Sequence, residues 1–144
     1  MSRLSVGLNA SYIYTDLKLK IRDTEVRNSP LEGASPFLAN MDLSYNHTKK
    51  DKNLIVSIIL NYFSDRVHTI GSKGYKDIIE EGVLTLDFAA SYKFNRHFSL
   101  KTKATNLLDP SYRLSRESSS TDENIVLNEF KKGQNISLGI SYEF

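Results

Sequence analysis

Asn135-Ile-Ser-Leu-Gly-Ile-Ser-Tyr-Glu-Phe144 alternates apolar and polar side chains without a break. Ile136, Leu138, Ile140, Tyr142 and Phe144 fall on one side, and Asn135, Ser137, Gly139, Ser141 and Glu143 on the other. Successive side chains of a β-strand point to opposite faces, so this period of two predicts a strand with one apolar face. It excludes an amphipathic helix, whose apolar positions recur every three or four residues. The same period returns along the chain toward its start. Phe98, Leu100 and Ala104 stand against Ser99, Lys101, Lys103 and Thr105, and Leu84, Leu86, Phe88, Ala90, Tyr92 and Phe94 against Thr85, Asp87, Ser91 and Lys93. Leu54, Val56, Ile58, Leu60 and Tyr62 oppose Ser57 and Asn61, with Ile55, Ile59 and Phe63 weakening the polar side. Phe37, Ala39, Met41, Leu43 and Tyr45 oppose Asn40, Asp42 and Ser44, and Leu4 through Tyr14 repeat the pattern at the start.

About six strands of roughly 9–12 residues follow, longer than the usual 5–6 of soluble sheets. At about 3.3 Å per residue and a tilt near 45°, some ten residues cross the apolar thickness of a membrane. The connections alternate in length. Short polar turns are expected at 46–53 and at Asn95-Arg-His97, and long polar connections at 17–35, 64–82 and 109–132. All short turns then fall at one end and all long loops at the other, the asymmetry of an up-and-down outer-membrane barrel. A turn of helix is allowed only around Asp77-Ile-Ile-Glu80.

Composition agrees with strands rather than helices as the membrane-crossing element. The longest apolar run, Leu54-Ile-Val-Ser-Ile-Ile-Leu60, is far shorter than the roughly 20 residues of a spanning helix. The absence of Cys excludes disulfide scaffolds, thiol catalysis and zinc ribbons. Nineteen basic and 17 acidic residues leave a net charge of +2, too balanced for a nucleic-acid partner. Although 25% of the chain is charged, no Asp, Glu, Lys or Arg occupies the apolar faces of the six segments. Aromatics gather at the ends of those faces: Tyr45, Tyr92, Phe94, Phe98, Tyr142 and Phe144 at the short-turn end, and Tyr12, Tyr14, Phe37 and Tyr62 at the other. Aromatic girdles at two membrane interfaces predict this, whereas a soluble core keeps its aromatics central. The expected fold is an all-β, antiparallel, up-and-down transmembrane barrel segment spanning 1–144.

Four stretches resemble one family in order. Leu31-Glu-Gly-Ala-Ser-Pro-Phe-Leu-Ala-Asn-Met-Asp-Leu-Ser-Tyr45 looks like the lead into a late barrel strand of TonB-dependent outer-membrane receptors. Ser64-Asp-Arg-Val67, Gly71 and Leu84-Thr-Leu-Asp-Phe88 are similar to the hairpin that follows. Phe98-Ser-Leu-Lys-Thr-Lys-Ala-Thr-Asn-Leu-Leu-Asp-Pro-Ser-Tyr112 resembles the family's strand ending in Asn-Leu-Leu-(Asp/Asn)-x-x-Tyr. Phe130 through Phe144 looks like its final strand. The resemblance implies a plugged barrel that imports a scarce solute of the iron-chelate, vitamin or oligosaccharide class, energised through TonB. About six strands fall short of the roughly 8 of the smallest single-chain barrels, so a C-terminal piece of a longer polypeptide is expected. Met1-Ser-Arg3 runs into a patterned segment with no apolar leader, as expected of such a piece. Plug and TonB box would lie in the missing N-terminal part. The alternative readings are a plug-less outer-membrane barrel or adhesin, and a soluble β-sandwich binding module.

The expected partners are outer-membrane lipid, the rest of the barrel with its plug, and the assembly machinery of the outer membrane, with the C-terminus periplasmic. A terminal Phe144 preceded by Tyr142, Ile140, Leu138 and Ile136 resembles the signal that machinery reads. Physically, an edge strand offers unpaired N–H and C=O groups for β-augmentation. Asp42, Asp87, Lys93, Lys101 and Lys103 are predicted to face the lumen, pairing with one another or with the plug. No cofactor, metal ligand or catalytic residue is expected. His47, His68 and His97 are placed in turns and a loop that do not converge, and Gly71-Ser-Lys-Gly74 lacks the spacing of a phosphate loop. Asp77, Glu80 and Glu81 read as a solvated acidic stretch. The stretch from Arg113 to Glu123 is polar enough to be mobile when no ligand is bound.

Overall fold

The computed structural model describes residues 1–22, 25–72, 75–118 and 123–144. Six long strands form one antiparallel sheet: β1 (Ser2–Tyr12), β4 (Phe37–Lys49), β5 (Lys52–Phe63), β8 (Val83–Lys93), β9 (Phe98–Thr105) and β12 (Asn135–Tyr142). They lie in the order β1-β4-β5-β8-β9-β12, a meander in which every strand neighbours the next long strand in sequence. These are the six segments expected from alternation. Among the described residues the sheet is open, with β1 and β12 at its edges.

Pairing register carries the alternation of each strand across the whole sheet. One row reads Val6, Leu43, Ile58, Phe88, Ala104, Ile136, and the next Leu4, Tyr45, Val56, Ala90, Thr102, Leu138. Cross-strand partners share a face, so a single continuous apolar face results. Its opposite carries rows such as Ser5, Ser44, Ser57, Ala89, Lys103, Ser137. Thr102 is the lone hydroxyl in the middle of the apolar face, and its Oγ1 donates to the Ser137 carbonyl at 3.2 Å.

The long connections carry short strands of their own. The first folds into a hairpin, β2 (Leu17–Arg22) with β3 (Glu25–Ser29). The others supply β6 (Arg66–Thr69), β7 (Ile78–Glu80), β10 (Ser111–Glu117) and β11 (Asn124–Lys131), a second sheet in the order β11-β10-β7-β6. Two expectations are corrected here. Ile78–Glu80 is a strand rather than a helical turn, because it is held between β6 and β10. Arg113–Glu117, read as part of a loop, belongs to β10, which pairs on both sides; residues 119–122 lie outside the described residues.

The short turns are tighter than expected. Strands β4 and β5 run on through 46–49 and 52–53, leaving only Lys50 and Asp51 as the loop, with Lys50 at φ 54°. At the other turn Asn95 Oδ1 accepts from the amides of His97 (2.9 Å) and Phe98 (2.8 Å), the local side-chain bond that suits Asn to turns. His47 accordingly sits in β4 and His68 in β6, not in loops.

The few buried residues are divided between the long sheet, the short strands and the connections beside them. Val67, Val83, Ala104 and Tyr112 are the buried apolar residues, joined by Ser29, Ser35 and Ser115. The apolar face of the long sheet has no second layer over it among the described residues. Leu8 is 77% exposed, Ile136 72% and Ile140 70%.

Candidate functional site

Three regions carry the chemistry: the polar face of the long sheet, the strand extension at its long-loop end, and the rim at its short-turn end. On the polar face, Asp42, Asp87, Lys93, Lys101 and Lys103 all project from the side opposite the apolar rows. Register brings Asp42 and Asp87 to either side of Ile59, and Lys101 and Lys103 opposite Ser91 and Ala89. Among the described residues these five do not pair with one another. Lys93 Nζ reaches Glu143 at 3.2 Å, and Asp87 Oδ1 accepts from the Asn106 amide at 2.9 Å. Among the described residues, Asp42, Lys101 and Lys103 form no ion pair. Register gives the reason, since none of the five faces an opposite charge directly across a strand.

Hydroxyls knit the same face. Ser44 and Ser57 bond at 2.9 Å, and Ser99 and Ser141 at 3.3 Å, each a directly opposed cross-strand pair. Gly7 gives Asp42 its room: a Cβ there would lie 1.9 Å from Asp42 Oδ1. That close approach accounts for a glycine inside a strand.

The extension is built on ion pairs that alternation could not reveal. Arg27 of β3 holds Asp77 at 2.5 Å, and Asp77 Oδ1 also accepts from the Gly71 amide at 2.7 Å. Arg66 meets Glu80 at 2.8 Å, with His68 Nδ1 3.9 Å from the same oxygen. Asp77 and Glu80, read from sequence as solvated, are thus engaged. Lys73 and Gly74 lie outside the described residues. Between the β2–β3 hairpin and β10–β11 opens a cleft of about 350 Å³, lined by Arg27, Lys76, Asp77, Ser115, Glu117 and Asn124. It offers donors and acceptors of both charges, suited to hydrogen-bonding a polar solute. On β11, the hydroxyl of Ser111 and then the guanidinium of Arg113 (3.2 Å) hold the Glu129 carboxyl below its ordinary range.

A polar clamp fastens β9 to β12. Asn106 Nδ2 donates to the Gly133 carbonyl at 2.7 Å, and the Gly133 amide donates to Asp109 Oδ1 at 2.9 Å. Asn106 (φ 59°) and Asp109 (φ 42°) are both left-handed, a region that Asn and Asp tolerate better than other residues with a side chain. The Asn106-Leu-Leu-Asp109 spacing was visible in the sequence; its role as a clamp depends on β12 arriving beside it.

At the short-turn rim aromatics touch one another. Tyr92 and Phe94 meet edge-on at 4.5 Å, Phe98 and Tyr142 at 5.2 Å, and Tyr142 and Phe144 at 5.2 Å. His97 stacks on Tyr142 and His47 on Tyr45. The histidines therefore belong to two places, with His47 and His97 at this rim and His68 in the extension. Ile136, Leu138, Ile140 and Tyr142 occupy the apolar face of edge strand β12, and Phe144 extends beyond it, fully exposed. At the opposite rim Phe37 and Tyr62 lie 6.3 Å apart. No family model, curated protein or solved structure matches the chain.

Proposed function

We propose that the chain forms part of the wall of an outer-membrane β-barrel, the C-terminal portion of a solute importer of the TonB-dependent receptor type. One observation carries this reading: the apolar face is continuous over six strands, largely exposed, and free of Asp, Glu, Lys and Arg from the Phe37 row to the His47 row. Monomeric soluble proteins rarely expose contiguous apolar patches beyond a few hundred Å². From Lys49 to Phe37 the strand climbs about 40 Å, or about 28 Å at a 45° tilt, close to a hydrocarbon thickness. Lipid is the solvent that such a face fits.

The opposite face supports a filled lumen over an open channel. Ile55, Ile59, Leu38 and Phe63 interrupt its serines and asparagines, and such mixed surfaces suit packing against a plug. The cleft beside Arg27 and Asp77 lies at the long-loop end, which in this reading faces outward and contacts the solute first. The wall contributes structure and selectivity, with no chemical step of its own.

Extraction tests the membrane reading. The protein is expected to resist alkaline carbonate, to require detergent for solubility, and to float with phospholipid vesicles. A monodisperse monomer in detergent-free buffer would sink it. The transport reading is tested by the reading frame upstream of Met1, which is expected to encode a plug domain; a stop codon following an unrelated gene counts against it.

A further inference from the structure

The hairpin β4–β5 ends on a like-charged pair. Lys49 and Lys52 are direct cross-strand partners, and alternation puts both on the apolar face, one row below His47 and Leu54. Phe94, one step past Lys93, extends this row beside Tyr92. Like charges opposite one another destabilise a sheet, so the pair calls for a counter-charge. Among the described residues the nearby carboxylates are already engaged, Asp51 by Arg96 at 3.2 Å and Glu143 by Lys93 at 3.2 Å. Among the described residues Lys49, Lys50 and Lys52 make no ion pair. A depression of about 420 Å³ opens here, lined by Lys49, Lys50, Asp51, Lys52, Phe94 and Asn95.

Depth decides what fits. The Lys49 row lies six residue steps below the middle row of Leu43 and Ile58, about 20 Å along the strand and about 14 Å vertically at a 45° tilt. Half of a roughly 30 Å hydrocarbon layer is nearly the same distance, which sets this row at the level of lipid headgroups. We propose that Lys49 and Lys52 hold the phosphate of an anionic phospholipid in the leaflet at the short-turn end. Its acyl chains lie along Tyr45, Leu54 and Tyr92. The inference rests on the membrane reading above. Lysine suits the task because its stem stays against apolar surface while the ammonium reaches the headgroup. Asn95, the exposed Lys50 and Asp51, whose carboxylate is held by Arg96, complete the polar lining.

The test uses the full chain in detergent, titrated with phosphatidylglycerol and with phosphatidylcholine, and reads lipid adducts by native mass spectrometry. Phosphatidylglycerol is expected to bind about thirtyfold more tightly, as two basic residues at an anionic surface predict. Lys49→Gln/Lys52→Gln is expected to abolish the preference, and Lys49→Arg/Lys52→Arg to keep it. Lys18→Gln, in the β2–β3 hairpin, is expected to leave it unchanged. Equal binding of the two lipids, or a preference that survives the double Gln variant, overturns the proposal. Displacement of phosphatidylglycerol by equimolar inorganic phosphate overturns the lipid assignment. Vesicle flotation separates the two failures. A chain that floats with phosphatidylcholine vesicles yet shows no headgroup preference defeats this inference alone; a chain that floats with neither lipid defeats the membrane reading and the inference together.

Discussion

Ile58 occupies the middle row of the apolar face, between Leu43 and Phe88, and is 39% exposed. Replacing it with arginine gives opposite results in lipid and in water. In water the new guanidinium would project from an already exposed position and cost little, since surface substitutions usually stay within about 0.5 kcal/mol. In lipid it would sit about 14 Å from either interface, where an arginine on a barrel's outer face costs about 2–4 kcal/mol. Leu54→Arg provides the depth control, because Leu54 lies one row above Lys52, where the same change costs about 0–1 kcal/mol. Ile58→Ala separates the charge from the lost side chain. The measurement is urea unfolding from phospholipid vesicles, followed by far-ultraviolet circular dichroism because the chain has no Trp. The expected order of stability is wild type, Leu54→Arg, then Ile58→Arg. Equal costs at both depths, or an Ile58→Arg protein as stable as wild type, would refute the assignment of this face to lipid.

Asn106→Ala removes the bond to the Gly133 carbonyl and places an alanine at φ 59°; a loss of about 1–2 kcal/mol is expected in the same unfolding assay, with Asn106→Gly relieving the backbone part only. Glu129 makes the β10–β11 pair sensitive to acid. Its carboxyl is held below the ordinary range by Ser111 and Arg113, so its contribution is present above that range and lost as pH falls through the depressed value. Amide exchange in β10–β11, read by mass spectrometry, is expected to quicken relative to Glu129→Gln as the pH falls below the ordinary carboxylate range. Deleting Phe144 from the full-length protein is expected to impair surface assembly through the edge of β12, scored by outer-membrane fractionation. Normal assembly of that variant would leave Ile136, Leu138, Ile140 and Tyr142 as lipid contacts only.

The short strands show where sequence reading stops. Ile78-Ile-Glu80 carries three residues of signal, too few for any period to emerge, and forms β7 because β6 and β10 flank it. Arg113 through Glu117 reads as polar and unstructured when taken alone. Pairing with β7 and β11 satisfies its backbone on both sides. Arg27 and Asp77 are far apart in the chain and look like ordinary solvated charges until the hairpin brings them together. His47 reads as part of a turn because Asn46 to Asn53 is uniformly polar. Strand pairing continues through it because the turn closes in only two residues.

Alternation is a local property, written in each segment by neighbours two residues apart. The amino-acid sequence by itself therefore determined the six long strands, their apolar and polar faces, the aromatic rims and the alternation of short and long connections. Register is not local. It is decided by turn length and by the joint pairing of six strands, and a slip of one residue would send every side chain to the other face. Only the tertiary structure placed Asp42 and Asp87 about Ile59 without a salt bridge, folded the long connections into a second sheet, and set Lys49 opposite Lys52 at the end of the apolar face. Charges in a strand choose their face through their own segment, but they find their partners across strands.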